Sequence, residues 1–139
     1  MRRIVAVFAL CLVFGVYQAR SATLDDDEEQ EKMKKYKEEC IPETGVERSY
    51  VDDAELGILR LDEKLACYAA CMMKKVGVMR ADGSINDEVA ISKIPSGINQ
   101  EKATEVFHKC KRVPSKNHCL KAGLMAKCFV DNQDYVLGD

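Results

Sequence analysis

Residues 65–73 read Leu-Ala-Cys-Tyr-Ala-Ala-Cys-Met-Met, an apolar run of strong helix formers with two cysteines four positions apart. On one helix Cys67 and Cys71 point the same way, with Cβ atoms about 5–6 Å apart, whereas a disulfide needs about 3.8 Å. The two cysteines therefore cannot bond to each other. Each has to bond to another part of the chain, which would fasten this helix to two neighbours.

The chain has seven cysteines, and six of them follow residue 39 with 26, 3, 38, 8 and 8 residues between successive members. These six are Cys40, Cys67, Cys71, Cys110, Cys119 and Cys128. Six cysteines allow fifteen pairings, and excluding the bond within the helix leaves twelve. A zinc site is the weaker interpretation, because structural zinc sites favour two matching short pairs and only one is present. If all six are paired, no thiol remains to act as a nucleophile.

The first 21 residues have the pattern of a secretory signal peptide. Two arginines supply the positive start, residues 4–16 are almost wholly apolar, and residues 19–21 have small side chains at both positions that determine cleavage. A membrane-spanning helix needs about 20 apolar residues, so a membrane anchor is the weaker interpretation. We predict cleavage after Ser21, secretion into the extracellular space, and a single mature domain over residues 22–139.

Cleavage would remove Cys11 and three arginines, which changes the formal net charge from −2 to −5. The remaining cysteines would enter an oxidising compartment, where thiols pair. A length of 139 residues fits one domain and excludes a multidomain enzyme or a long receptor. An acidic chain is a poor candidate for nucleic-acid binding or for membrane lysis, since both need a concentrated cationic surface.

The apolar periodicity predicts an all-α fold, a compact bundle of five to seven helices with short loops and three disulfides. The helices are predicted from the acidic residues 25–31 to a stop at Pro42 and Gly45, and then over 51–60, 63–78, 86–94, 99–112 and 118–131. Asp62 and Asn117 are suitable N-caps, and residues 81–84 predict a turn. No strand-length alternation and no internal repeat is present.

The leader, the helical pattern and the cysteine spacing together resemble the insect odorant-binding proteins. In that family the three-residue and the last eight-residue intervals are the most constrained, and both occur here. The resemblance covers the whole mature chain and implies one of the twelve pairings: Cys40–Cys71, Cys67–Cys119 and Cys110–Cys128. It also implies a secreted, non-catalytic carrier without metal or cofactor. Such a carrier binds odorants, pheromones or related lipids and transports them through sensillar lymph to membrane chemosensory receptors.

Two predicted helices, 63–78 and 118–131, are apolar on more than one face. We therefore expect other parts of the chain to cover both helices on all sides. We therefore expect the helices to surround an apolar cavity. Such a cavity costs about 24 cal/mol of folding stability per Å³ of cavity volume, and disulfides can offset that loss. Methionines in both helices suit an interior that accepts ligands of varied shape. Ordinary core packing is the alternative interpretation of the same residues.

Ten residues are predicted to line this pocket: Tyr68, Met73, Val76, Ile91, Ile94, Phe107, Leu124, Phe129, Tyr135 and Val136. Met73, Val76 and Phe129 match positions that often line the pocket in the family that the chain resembles, and the other helical residues are added on apolar periodicity. The tail residues Tyr135 and Val136 would join them if the tail folds back, as it can in that family; fraying into solvent is the alternative. Burying ~300 Å² of apolar ligand surface at ~25 cal/mol per Å² predicts a dissociation constant from tens of micromolar to sub-micromolar.

Two alternative functions are a carrier of non-odorant lipids in another secretion and a small phospholipase-like hydrolase. The hydrolase would need a histidine beside an activating carboxylate and a calcium loop, and neither surrounds His108 or His118. Both histidines are instead candidates for a pH-dependent release switch, because histidine titrates near physiological pH. The expected partners are the hydrophobic ligand and a receptor, with the protein as a monomer or weak homodimer.

Overall fold

The computed structural model describes residues 24–94, 97–113 and 115–137. Over these ranges the chain forms seven α-helices and no strand, which confirms the all-α prediction. The helices are α1 Leu24–Thr44, α2 Arg48–Glu55, α3 Glu63–Lys75, α4 Asp87–Ser92, α5 Gln100–Cys110, α6 His118–Asp131 and α7 Gln133–Leu137. None of these helices is long and apolar enough to cross a bilayer. The predicted leader, residues 1–21 with Cys11, lies outside the described residues.

Four helices begin after an Asp or Asn whose side chain accepts a hydrogen bond from a backbone N–H of the first turn. These N-caps are Asp62, Asn86, Asn99 and Asn117, with distances from 2.7 to 3.2 Å. Each bond satisfies a donor that the helix leaves without an internal partner, and a cap of this kind is worth about 1 kcal/mol. The sequence predicted the caps at Asp62 and Asn117, and α6 has the predicted bounds.

Glycines in the left-handed backbone region follow the first three helices and correct the predicted ends. Helix α2 covers Arg48–Glu55, so the prediction of a helix over 51–60 is wrong at both ends, and Gly57, at φ +87°, lies just beyond its C-terminal end. Gly77, at the same φ, stops α3 at Lys75, three residues earlier than predicted. Pro42 lies inside the last turn of α1 and does not stop it; the stop comes at Gly45.

Helix α3 lies at the centre of the bundle and packs against α1 and α6. Its side chains Leu65, Tyr68, Met72 and Met73 are all buried. Helix α6 approaches closely enough that a Cβ on Gly123 would lie 2.9 Å from the Cβ of Ala66. Helix α5 packs on α6, and α7 packs on both. One buried cluster draws side chains from all seven helices.

Three disulfides fix this arrangement. Cys40–Cys71 joins α1 to α3, Cys67–Cys119 joins α3 to α6, and Cys110–Cys128 joins α5 to α6. This is the pairing that the family resemblance implies, and it ties the central helix to two neighbours at successive turns. Their sequence separations are 31, 52 and 18 residues, respectively, for which the chain-entropy model gives about 3–4 kcal/mol each.

Candidate functional site

Most of the ten residues predicted to line a pocket lie inside the bundle. Five of them are at most 3% exposed: Tyr68, Met73, Phe107, Phe129 and Val136. Ile94 is 7% exposed, and Val76 and Ile91 are partly buried against the same cluster. These eight residues come from α3 to α7 or from the ends of those helices, and all of them belong to one buried apolar cluster or pack against it.

Leu124 and Tyr135 lie at the surface, with 40% and 46% of their area exposed. Leu124 is on the outward side of α6 together with Leu120, which is 51% exposed. The expectation that α6 is covered on all sides is therefore wrong. A domain of this size has too few elements to cover every apolar face, and exposed single leucines are common on folded proteins.

Tyr68 brings a hydroxyl group into the apolar cluster. Its side chain is fully buried in the middle of α3. Loss of hydration raises the pKa of Tyr68 far above its usual range, and the nearby carboxylate of Glu55 raises it further. The hydroxyl therefore stays protonated, as a neutral polar group among aliphatic, aromatic and thioether side chains.

The tail folds back on the bundle as helix α7. Val136 is 3% exposed, while the Tyr135 hydroxyl donates a 2.8 Å hydrogen bond to Oε2 of Glu105 on α5. This bond raises the pKa of Tyr135. The Lys102 ammonium lies 5.2 Å from the centre of the Tyr135 ring, a cation–π distance. The described tail is thus fastened to α5, and the Tyr135 hydroxyl is directed to Glu105.

The sequence matches a family model over residues 22–132, and that model describes the PBP/GOBP family. The chain belongs to this family. General odorant-binding protein 56a of Drosophila melanogaster is 28% identical over 126 residues, which cover 88% of each chain. General odorant-binding protein 19d of the same species is 31% identical over 99 residues, or 67% of this chain and 66% of the relative.

The fold agrees with this assignment. A crystal structure of an odorant-binding protein of Locusta migratoria matches with a TM-score of 0.61 at 23% identity, over 76% of this chain and 90% of the other. Proteins of the PBP/GOBP family are non-catalytic carriers, so this member is not an enzyme and we do not retain the phospholipase-like hydrolase. The family assignment supports an odorant carrier as the general role of the chain.

The histidines of this PBP/GOBP protein are not placed for hydrolysis. Nδ1 of His118 lies 2.8 Å from the Lys74 ammonium, which is a hydrogen-bond donor and not a carboxylate. The ring of His108 lies 5.3 Å from that of Phe107. Within the described part of the chain, neither histidine pairs with a carboxylate. A role of either histidine in ligand release stays a prediction.

One group of candidate metal ligands occurs among the described residues, formed by Cys40, Glu43 and Cys71. The two sulfurs of this group are joined to each other in a disulfide. A disulfide sulfur is not a thiolate and does not act as a zinc ligand. The group is therefore structural.

The structure also contains a surface cleft that the sequence did not predict. A polar cleft of about 340 Å³ lies between the turn after α3 and the start of α6. Its lining residues are Asp82, Gly83, Ser84, Ser115, Lys116, His118 and Lys121. The turn at 81–84 was predicted, but nothing in the pattern showed that it would face residues 115–121.

Proposed function

We propose that this chain binds a small hydrophobic molecule inside the helical bundle and carries it through an extracellular fluid to chemosensory receptors. Membership of the PBP/GOBP family supports a carrier. The observation that carries the proposal is the convergence of eight predicted pocket residues from α3 to α7 on one interior. The predicted leader at residues 1–21 supports the extracellular location.

The chemistry of the proposed lining supports one class of ligand. The eight buried or half-buried residues offer aliphatic, aromatic and thioether surface, and Tyr68 offers one protonated hydroxyl. A predominantly apolar molecule with one oxygen, such as a long-chain alcohol, aldehyde or ester, matches this composition, because its oxygen can share a hydrogen bond with the hydroxyl. Met72, Met73 and Met125 are fully buried and flexible, which favours tolerance of different ligand shapes.

A displacement assay tests the binding step. The disulfide-bonded protein is titrated with the apolar fluorescent dye N-phenyl-1-naphthylamine, and aliphatic alcohols, aldehydes and esters are then added as competitors. We expect saturable binding of one dye molecule per chain, competition by apolar molecules, and no hydrolysis of the esters. Dye fluorescence that rises without saturation, or competition that does not depend on ligand shape or length, would contradict an interior pocket.

A matched pair of substitutions tests the location of the pocket. Val136 on α7 belongs to the proposed lining, whereas Val51 on α2 is also buried and is not one of the proposed lining residues. We expect Val136→Phe to weaken dye binding by about tenfold, because the added ring occupies space meant for the ligand. In a filled core the same change overpacks the side chains around it and lowers stability by about 1–3 kcal/mol. We therefore expect Val51→Phe to lower stability and leave dye affinity unchanged.

The opposite pattern would overturn the location. If Val136→Phe destabilises the protein as much as Val51→Phe and leaves dye affinity unchanged, the interior beneath α7 is solid. Urea unfolding of both variants separates these outcomes, because stability and affinity are then measured on the same preparations.

The extracellular part of the proposal has its own test. We expect insect cells that express the full chain to release it into the medium with Ala22 as the first residue, which intact-mass measurement detects to a single residue. A product retained in the cells, or a released product that keeps residues 1–21, would contradict the predicted route. Extraction of the released protein with organic solvent would identify any ligand that it carries.

A further inference from the structure

The polar cleft between the turn after α3 and the start of α6 concentrates positive charge on an acidic chain. Lys116 and Lys121 line the cleft, and the Lys74 ammonium reaches its edge through the 2.8 Å contact with His118. Asp82 is the one carboxylate among the lining residues. Two lysines in the lining and a third at its edge therefore accompany one lining carboxylate, whereas the chain has a formal net charge of −2.

The lysines of this cleft differ from other lysines of the bundle in their partners. Lys37, Lys75, Lys111 and Lys127 each form an ion pair with an Asp or Glu. Across residues 24–94, 97–113 and 115–137, the three lysines at the cleft form no ion pair with a carboxylate. No ion pair with a described carboxylate therefore neutralises these three positive charges.

The hydrogen bonds around the cleft also favour an acceptor from outside. Asp82 Oδ1 accepts from both the backbone N–H and the hydroxyl of Ser84, at 2.9 and 2.6 Å, and these bonds lower the pKa of Asp82. Lys121 donates to the carbonyl oxygen of Gly83 at 3.1 Å, which uses one of its three N–H groups. The remaining lysine donors in the cleft have no acceptor from the described side chains.

We propose that this cleft binds a phosphate monoester or inorganic phosphate, with Lys116 and Lys121 as the charged donors and Lys74 at its edge. A phosphate dianion balances the local excess of two positive charges and accepts hydrogen bonds from several sides. The volume of about 340 Å³ leaves room for a phosphate group and for part of the organic group of a monoester. The site is separate from the proposed interior, so the carrier and the anion site can be tested independently.

The experiment is a titration of the disulfide-bonded, isotope-labelled protein with sodium phosphate, followed by amide chemical shifts at constant ionic strength and pH. We expect saturable shifts centred on Gly83, Ser84 and Lys121, with half-saturation in the millimolar range or below, and no such shifts with chloride. Lys116→Gln should weaken binding at least fivefold, because it removes one charged donor that has no other described contact. Lys34→Gln, an equal loss of charge on exposed α1, should weaken it less than twofold.

Octyl phosphate distinguishes the two sources of the anion. If an amphiphile's head group is the ligand, octyl phosphate shifts the same amides at a lower concentration than inorganic phosphate, and Lys116→Gln weakens both. If free phosphate is the ligand, the alkyl chain brings no gain. Absence of saturation up to about 20 mM phosphate, or equal effects of Lys116→Gln and Lys34→Gln, would overturn the site. Neither result depends on dye binding inside the bundle.

Discussion

Gly83 is held in place by two separate constraints, and substitution to alanine is expected to expose both. Its φ is +89°, in the left-handed region that costs residues with a Cβ about 1–2 kcal/mol. A Cβ at this position would also lie 2.5 Å from Cδ2 and Nε2 of the His118 ring. Because real Cβ atoms do not approach so closely, the ring would have to turn away and leave its contact with Lys74.

Two other glycines isolate the backbone contribution. A Cβ added to Gly45, at φ +72°, would meet no atom within 4 Å, and one added to Gly77, at φ +87°, would make an ordinary 3.7 Å contact with Val89. We expect Gly45→Ala and Gly77→Ala to lower the free energy of unfolding by about 1 kcal/mol each, since alanine partly offsets the strain by restricting the unfolded chain. Gly83→Ala should cost about 2–3 kcal/mol, the excess being the steric clash.

Urea unfolding with the disulfides intact measures these differences, provided that the slope with denaturant is the same in each variant. A double-mutant cycle then identifies the clash. We expect His118→Ala to recover about 1 kcal/mol of the loss in the Gly83→Ala background, because the ring no longer competes with the new methyl group. Equal losses of stability in Gly45→Ala and Gly83→Ala would refute this account. Strictly additive effects of Gly83→Ala and His118→Ala would refute it as well.

Three further predictions concern helix packing, cross-linking and the tail. Gly123→Ala should cost about 1–3 kcal/mol despite alanine's higher helix propensity, because the facing Ala66 Cβ belongs to a packed helix; adding Ala66→Gly should recover part of that loss in the same unfolding assay. Replacing Cys110 and Cys128 together by serine should lower stability by about 3 kcal/mol in calorimetry, and an unchanged midpoint would contradict the contribution of this bond. Tyr135→Phe removes the hydrogen bond to α5, so amide exchange at α7 should accelerate while exchange in α3 stays as it was.

The helices were predictable where one local signal decides the outcome. Asp62 and Asn117 are N-caps of the expected kind, and each starts a helix at the predicted residue. The predicted helix ends were less accurate, because a glycine can either weaken a helix from within or end it by adopting a left-handed conformation. Gly57 lies inside the predicted helix 51–60, whereas the backbone uses its left-handed conformation to end α2.

The candidate site was predictable in composition but not in orientation. Phe107 and Phe129 are buried as their apolar helical spacing suggests, yet Leu124, in a similar pattern, faces outward. Periodicity identifies residues that share a face, and only packing decides which of two apolar faces of α6 meets α3. The cleft at Lys121 was not predictable, because a turn and a helix start that lie more than 30 residues apart form it together.

The three disulfide loops overlap without a gap from Cys40 to Cys128. Any single cut of the backbone between those two residues therefore leaves the pieces covalently joined. The segment 56–61, where Leu61 is 96% exposed, offers a protease an accessible stretch of this kind. A molecule nicked there would run as one species until it is reduced, so cleavage by a protease need not release fragments or separate the helices.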